Sequence, residues 1–400
     1  MSGGVDSSVA AALLKKTGYD VSGVFMREWV PKGMECSEPK NRQMAARAAS
    51  HLGIPFAVWD FRAVYETNVA SYLIREYAAG RTPNPDIMCN KDIKFGVFLD
   101  AARRAGAHYI STGHYVRLQA TPTLLVGAPT KSVGAGHYIR REPEFQISNF
   151  KFLKIENYKL KIALDINKDQ SYFLWTLTQR QLQHCIFPIG GYTKLHVRQL
   201  AKKFGLPNWD RKDSQGVCFV GELNFGKFLR AQLPVREGVV VATDGTAVGT
   251  HDGTEFYTIG QRIGIKNYES GIMGKREPVY VADKNLETNT LVVASDDSPE
   301  LFKSECAVFD VSWISGEQPK LPLQCLGRIR YRQPLQSCRI EAQNYADSME
   351  DSAEFFSAKV RVTSASIRVR FAQPQRAVTP GQSAVFYSKA GEVLGGGIIE

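Results

Sequence analysis

The 400-residue chain is 44% hydrophobic and 22% charged, an ordinary globular composition that excludes a disordered polymer and suffices for two or three domains, each with its own core. No apolar run approaches the thickness of a bilayer, so a membrane-spanning helix and a membrane partner are not expected. The formal charge of +10 predicts salt-sensitive attraction to a polyanion, with a merely solvated basic surface as the plainer alternative.

The chain opens on a glycine-rich turn at residues 2–8 that leads into a helix over 9–16. A strand over 21–26, a helix over 41–52, a strand over 56–59 and helices over 64–79 and 93–104 follow, then a strand over 109–112. Short strands between amphipathic helices predict an α/β domain, a doubly wound parallel sheet covered on both faces. The strand that should feed the first turn is missing, which predicts a start upstream of Met1; the glycine-rich turn at Ser2 leads us to expect neither a signal peptide nor an Arg-rich transit segment in the given sequence. Residues 118–166 read as an insertion, with a Lys-and-aromatic stretch at 150–162 suited to an extended hairpin. Helical spacing returns over 172–185 and 197–204. From about 283 the pattern is all-β and barrel-like, interrupted by an acidic, solvated loop at 341–354. The expected units are residues 1–221, a small central domain at 222–283, and a C-terminal barrel at 284–400.

Three segments carry the chemistry. In Ser2-Gly3-Gly4-Val5-Asp6-Ser7-Ser8, two glycines let backbone N–H groups approach an anion at a helix N-terminus, and Asp6 is a hard oxygen ligand suited to magnesium. No Gly-Lys-Ser/Thr follows, so this is not a Walker A loop; a plain Gly-Gly turn with an Asp N-cap is the alternative. In Pro83-Asn84-Pro85-Asp86-Ile87-Met88-Cys89-Asn90-Lys91, two prolines stiffen a loop expected to present Asp86 and Cys89 ahead of a helix beginning near Ile93. A thiol beside that N-terminus and Lys91 has its thiolate favoured, though a buried structural cysteine is the commoner fate. In Lys212-Asp213-Ser214-Gln215-Gly216-Val217-Cys218-Phe219, Gly216 gives freedom to a thiol that must meet two partners. The seven cysteines lack any C-x-x-C pair, which fits a reducing compartment and disfavours zinc or iron-sulfur ligation.

A two-residue period in Arg328-Ile329-Arg330-Tyr331-Arg332 predicts a strand with three guanidinium groups on one face, a candidate track for RNA phosphates; Arg368-Val369-Arg370 repeats the scheme. A solvated barrel exterior explains both nearly as well.

These segments, with Gly23-Val24-Phe25-Met26, Gly80-Arg81-Thr82, Thr112-Gly113-His114-Tyr115, Asn167-Lys168-Asp169-Gln170-Ser171-Tyr172, Thr258-Ile259-Gly260-Gln261-Arg262 and Thr379-Pro380-Gly381-Gln382, resemble the tRNA-specific 2-thiouridylase family (MnmA in bacteria, with mitochondrial counterparts in eukaryotes) over nearly the whole chain. The resemblance implies a PP-loop ATPase domain, a small central domain and a C-terminal β-barrel. It implies ATP-dependent replacement of the C2 oxygen of the wobble uridine, U34, by sulfur. Cys218 then carries a persulfide, Cys89 is the partner thiol that helps release sulfide or forms a disulfide with it, and Asp86 stands beside the target base. Ser2, Gly3, Gly4, Val5, Asp6, Ser7, Met26 and Gly113 surround ATP, with Asp6 reaching Mg2+ through it. Asn84, Pro85, Lys168, Asp169, Gln170, Arg330 and Tyr331 meet tRNA. A donor protein of the cysteine desulfurase or sulfur-relay type is the implied sulfur source. The long insertion, the acidic loop and the basic charge point to a mitochondrial member, with the bacterial cytoplasm as the alternative. Another PP-loop nucleotide-activating enzyme, or a tRNA-binding homologue inactive for want of its first strand, are the rival readings.

Overall fold

A computed structural model describes residues 1–31, 37–122, 155–212, 225–264, 278–343 and 366–400, and every structural statement concerns these residues. Cys218 with its segment 213–224, residues 150–154 of the expected hairpin and residues 344–354 of the expected acidic loop lie outside them.

The N-terminal domain starts with α1 (Val5–Lys16), β1 (Gly23–Met26), α2 (Glu38–Leu52) and β2 (Phe56–Trp59), the two strands pairing in parallel. α1 is rich in alanine and ends in Lys15 and Lys16, which suit its dipole. Its apolar face, Val5, Val9 and Ala10, packs on Val197 and Ala201 of a later helix. Residues 62–78 form one irregular helical rod: α3 (Arg62–Tyr65), a π-helical stretch Glu66–Ala70 and α4 (Ser71–Ala78).

The expected helix near Ile93 begins eight residues earlier. α5 (Pro85–Met88) runs through a π-helical stretch, Cys89–Val97, into α6 (Phe98–Arg104). The cause is local: Pro85 takes the first helical position and the Asn84 side chain accepts from the Asp86 backbone N–H at 3.1 Å. Cys89 is therefore a helical residue rather than a loop residue, and the first turn belongs to Asp86.

β3 (Ile110–Ser111) is followed by the hairpin β4 (Arg117–Pro122) and β5 (Ile155–Lys161), which brackets the insertion. The helix expected over 172–185 is instead a 3-10 turn, Ser171–Leu174, then the short α7 (Gln179–Leu182) and β6 (Cys185–Ile186), which pairs in parallel with β3. Thr178 starts α7 afresh with a capping box to Gln181, so the pattern restarts there. α8 (Lys194–Lys203) closes this domain against α1.

After α9 (Phe225–Gln232) comes a five-stranded sheet of β7 (Gly238–Ala242), β8 (Ala247–His251), β9 (Arg262–Ile263), β10 (Val279–Asn285) and β11 (Thr290–Ala294), in the order β8-β7-β11-β10-β9. Position 283, where the central unit is expected to end, lies within β10. The C-terminal domain is a closed six-stranded barrel: β12 (Phe302–Trp313), β13 (Leu323–Arg328), β14 (Gln336–Ala342), β15 (Ile367–Arg376), β16 (Ser383–Tyr387) and β17 (Val393–Ile399). Alternate residues such as Val308, Ile340, Val369 and Ile399 fill its interior, each burial contributing about 1.5–3 kcal/mol.

The predicted basic strand at 328–332 does not form. β13 ends at Arg328, Arg332 takes a left-handed φ of 64°, and the three guanidinium groups part company. Arg328 is buried, Arg330 is part-buried at a domain junction, and only Arg332 is exposed, lying over the Tyr331 ring. Arg368 and Arg370 do flank the inward Val369, but Arg370 reaches Glu305 and Glu341 on the neighbouring strands, so it faces acidic partners. Among the described residues no helix is long and apolar enough to cross a membrane.

Candidate active site

The turn before α1 is held from behind. Asn208 Nδ2 donates to the Gly3 carbonyl at 2.9 Å and Arg211 Nη1 to the same oxygen at 3.1 Å, while the Ser8 hydroxyl donates to the Gly4 carbonyl at 3.0 Å. With its acceptors engaged by the protein, the turn leaves the first-turn N–H groups of α1 as its donors, and Gly4 at the N-cap supplies no side-chain cap. Gly3 has φ +78°, and a Cβ there would lie 2.4 Å from the Asn41 carbonyl oxygen. A Cβ on Gly113 would lie 2.8 Å from the Ser7 nitrogen, so the predicted nucleotide residues Ser2–Ser7 and Gly113 do come together across 106 positions of chain (113 − 7). An uncapped helix N-terminus walled by two glycines that tolerate no side chain suits a phosphate group.

Asp6 stands in the first turn of α1 with both carboxylate oxygens occupied. Lys194 Nζ donates to them at 2.7 and 2.9 Å, and the Tyr115 hydroxyl donates to Oδ1 at 2.8 Å. Neither Lys194 nor Tyr115 was predictable from local spacing, since they lie 188 and 109 residues from Asp6.

Met26 ends β1, and in open α/β sheets ligands bind beyond the carboxyl ends of the strands. It packs against the apolar cluster of Tyr65, Val69, Cys89 and Ile93. Cys89 is fully buried there at the start of the second π-helical stretch, an irregularity common near functional sites. The next residue, Asn90, donates to the Phe173 carbonyl at 3.1 Å and accepts from Lys94 at 2.9 Å. His114 lies buried nearby in ring contact with Phe95, and burial, aided by the Lys94 charge, pushes its pKa well below the usual 6.5.

Of the residues predicted to meet tRNA and its target base, Asn84, Pro85, Asp86 and Arg330 fall at the junction of all three domains. Thr82 donates through its N–H to the Pro380 carbonyl at 2.8 Å and through its hydroxyl to Thr258 at 3.1 Å, and Gln382 donates to the Thr82 carbonyl at 2.7 Å. Asn84, Pro85 and Asp86 continue from this tie, part-exposed. Arg330 Nη2 donates to the Ile259 carbonyl at 2.7 Å and to Thr379 Oγ1 at 2.9 Å, and Tyr331 lies against Phe173 with ring centroids 4.6 Å apart. Gln170 exchanges two hydrogen bonds with the Tyr115 backbone, each 2.9 Å, and Lys168 is part-exposed beside it. Asp169 differs from its neighbours: it is 1% exposed and accepts from the Ala163 and Ser171 N–H groups, the Ser171 hydroxyl and Arg328. Its carboxylate positions Lys168 and Gln170 and presents nothing to solvent.

Comparison with known sequences covers the chain end to end. The family profile described as "tRNA methyl transferase HUP domain" matches residues 1–126 and 123–222, the "tRNA methyl transferase PRC-barrel domain" matches 226–295, and the "Aminomethyltransferase beta-barrel domain" matches 303–354 and 348–399. A tRNA-specific 2-thiouridylase MnmA of Francisella tularensis subsp. novicida is 40% identical over 406 aligned positions, covering 100% of this chain and 97% of that protein. The protein of the same name from Francisella philomiragia subsp. philomiragia is 41% identical over 403 positions, with the same coverage.

Proposed function

This chain belongs to the tRNA-specific 2-thiouridylase family, and on that footing we propose that it is a tRNA-uridine 2-sulfurtransferase that thiolates U34 in an ATP-dependent reaction. One observation supports this reading of the site: Met26, at the carboxyl end of β1 where open α/β sheets take nucleotides, packs against the apolar cluster that holds Cys89.

The C2 oxygen of uridine is a poor leaving group, and ATP, when bound, supplies the adenylate that makes it a good one. The turn at Ser2–Ser7, Gly113 and Met26 would hold that nucleotide, and Asp6 would be the carboxylate available to its Mg2+, which would neutralise phosphate charge. Asn84, Pro85 and Asp86 present the junction of the three domains to the anticodon loop, where the target base must leave its stack. Asp86, in the first turn of α5, is the carboxylate beside the base. Lys168, Gln170 and Tyr331 contact the RNA directly. Arg330 joins them as an RNA contact while its Nη2, donating to Ile259 and Thr379, also holds the junction.

Sulfur arrives as a persulfide on Cys218, charged by a cysteine desulfurase or relay protein. The Cys89 thiolate attacks the inner sulfur, a Cys89–Cys218 disulfide forms, and the released hydrosulfide displaces AMP from C2; an external dithiol then reduces the disulfide. The described residues that flank the Cys218 segment support this reading. Arg211, on one side, binds the Gly3 carbonyl, and Phe228, on the other, lies against Trp29, which stacks on Tyr65 of the Cys89 cluster. The relatives compared above are bacterial, which favours the bacterial cytoplasm and lends nothing to a mitochondrial location.

Incubation with ATP, Mg2+, a persulfide source and unmodified tRNA, followed by mass spectrometry of the nucleosides, should yield 2-thiouridine at position 34. Absence of that nucleoside with every component present sinks the proposal.

A further inference from the structure

We infer that Lys194 is the ammonium group that meets the nucleotide's phosphates, delivered from α8 to a phosphate turn that contains no lysine. The inference rests on the ATP reading above and deepens it. The turn Ser2–Ser8 offers backbone donors and hydroxyls but no cation of its own. Lys194 fills that want from a segment 188 residues along the chain from Asp6. It occupies the first position of α8, whose start is fixed by Thr193 accepting from the His196 N–H at 3.3 Å and by the Lys194 N–H donating to Asp165 Oδ2 at 2.9 Å. α8 in turn is packed on α1 through Val197 and Ala201. The backbone of Lys194 is thus rigidly placed beside the turn, and only its four-carbon stem is free to redirect the charge.

In the structure that charge lies on Asp6, with Nζ 2.7 and 2.9 Å from the two oxygens and the Lys194 side chain 12% exposed. The carboxylate cannot keep this geometry and also ligate a divalent ion. Two unit charges 4 Å apart interact by about 4 kcal/mol near a protein surface, and a 2+ ion roughly doubles that repulsion. An arriving magnesium-nucleotide therefore drives Nζ off Asp6, and the nearest new counter-charge is the phosphate chain seated at the α1 N-terminus. Tyr115 keeps its hydrogen bond to Asp6 Oδ1, so the carboxylate stays oriented during the exchange. Lysine, a compact charge on a flexible stem, suits such a hand-over better than the planar fork of arginine.

The test is equilibrium binding of ATP and of adenosine to the full chain, by calorimetry with Mg2+ present, for wild type, Lys194→Met and Lys194→Arg. Lys194→Met should weaken ATP by at least about tenfold, the worth of one charge-assisted hydrogen bond, while adenosine binds within about twofold of wild type. Lys194→Arg should recover most of the ATP affinity. Unchanged ATP affinity in Lys194→Met, or an equal loss for adenosine and ATP, overturns the inference, the second result marking a purely structural lysine. Should Lys194→Met not fold, Asp6→Asn/Lys194→Met, in which neither partner is left charged alone, is compared with Asp6→Asn by the same criterion. Failure of wild type to bind ATP removes the nucleotide reading itself, and this inference with it.

Discussion

Asp169 and Arg328 form an ion pair 3.1 Å long, with side chains 0% and 4% exposed, that ties the N-terminal domain to the end of a barrel strand. Ser171 and Tyr387 extend it, the Ser171 hydroxyl lying 2.8 Å from Asp169 and 3.2 Å from the Tyr387 hydroxyl, and the Arg328 guanidinium sits over the Tyr387 ring. Removing one partner strands the other's charge in a dry site. Arg328→Met should therefore cost about 3–5 kcal/mol in chemical denaturation, whereas Arg328→Met/Asp169→Asn should recover part of that loss. Equal stabilities for the two variants would show that the pair carries no charge coupling.

The proposed two-cysteine route requires Cys89 and Cys218 in the same turnover. Cys218→Ser and Cys89→Ser should each abolish 2-thiouridine formation while leaving tRNA retention on filters within about twofold. Cys89 is 0% exposed, so Cys89→Ala is the needed control: it should fold, bind tRNA and remain inactive. Thiolation by either Cys218→Ser or Cys89→Ala contradicts the two-cysteine route.

Asp6→Asn keeps the shape of the carboxylate and removes its charge. Magnesium-dependent pyrophosphate release in the presence of tRNA should fall by at least about tenfold, the effect of one lost charged ligand. A release rate equal to wild type would take Asp6 out of the nucleotide site.

Gly113→Ala places a methyl group 2.8 Å from the Ser7 nitrogen and 2.9 Å from the Asp6 carbonyl carbon, both backbone atoms. The first turn of α1 must shift, and ATP affinity should drop while the melting temperature changes by only a few degrees. Unaltered ATP affinity would place the phosphates elsewhere.

His114 makes stability depend on pH in a set direction. In the unfolded chain it titrates near the usual 6.5; in the fold, burial and the Lys94 charge hold it neutral well below that. Above 6.5 neither state binds the proton and the residue contributes nothing. As pH falls below 6.5 the unfolded state gains a proton that the folded state refuses, so stability declines by up to about 1.4 kcal/mol per pH unit until the folded-state pKa is reached. His114→Gln should flatten this acid limb in urea titrations at pH 4.5–7.5, and an unaltered slope would contradict the assignment.

Periodicity and motif order sufficed for the domain series and for α1, α2, β1, β2 and α8 to within a few residues, whereas the pairing of Gly113 with the Ser2–Ser7 turn, seen in its approach to Ser7 and Asp6, was expected only from the family resemblance. Such features are local, or repeat along the chain, and physical rules of spacing act on them directly. The helix at Cys89 was legible too, since Asn84-Pro85-Asp86 is an N-cap followed by proline at the first position, but the prolines also suit a stiff loop. The basic run at 328–332 shows the opposite limit. Its two-residue period promised one cationic face, yet the buried carboxylate of Asp169, 159 residues away, captures the first arginine, and Ile259 and Thr379 capture the second. Likewise Asp6 looked like a bare metal ligand until Lys194 and Tyr115 closed on it. Which charges remain available to a ligand depends on Coulomb partners supplied by distant segments, and only the folded chain brings those within a few ångströms.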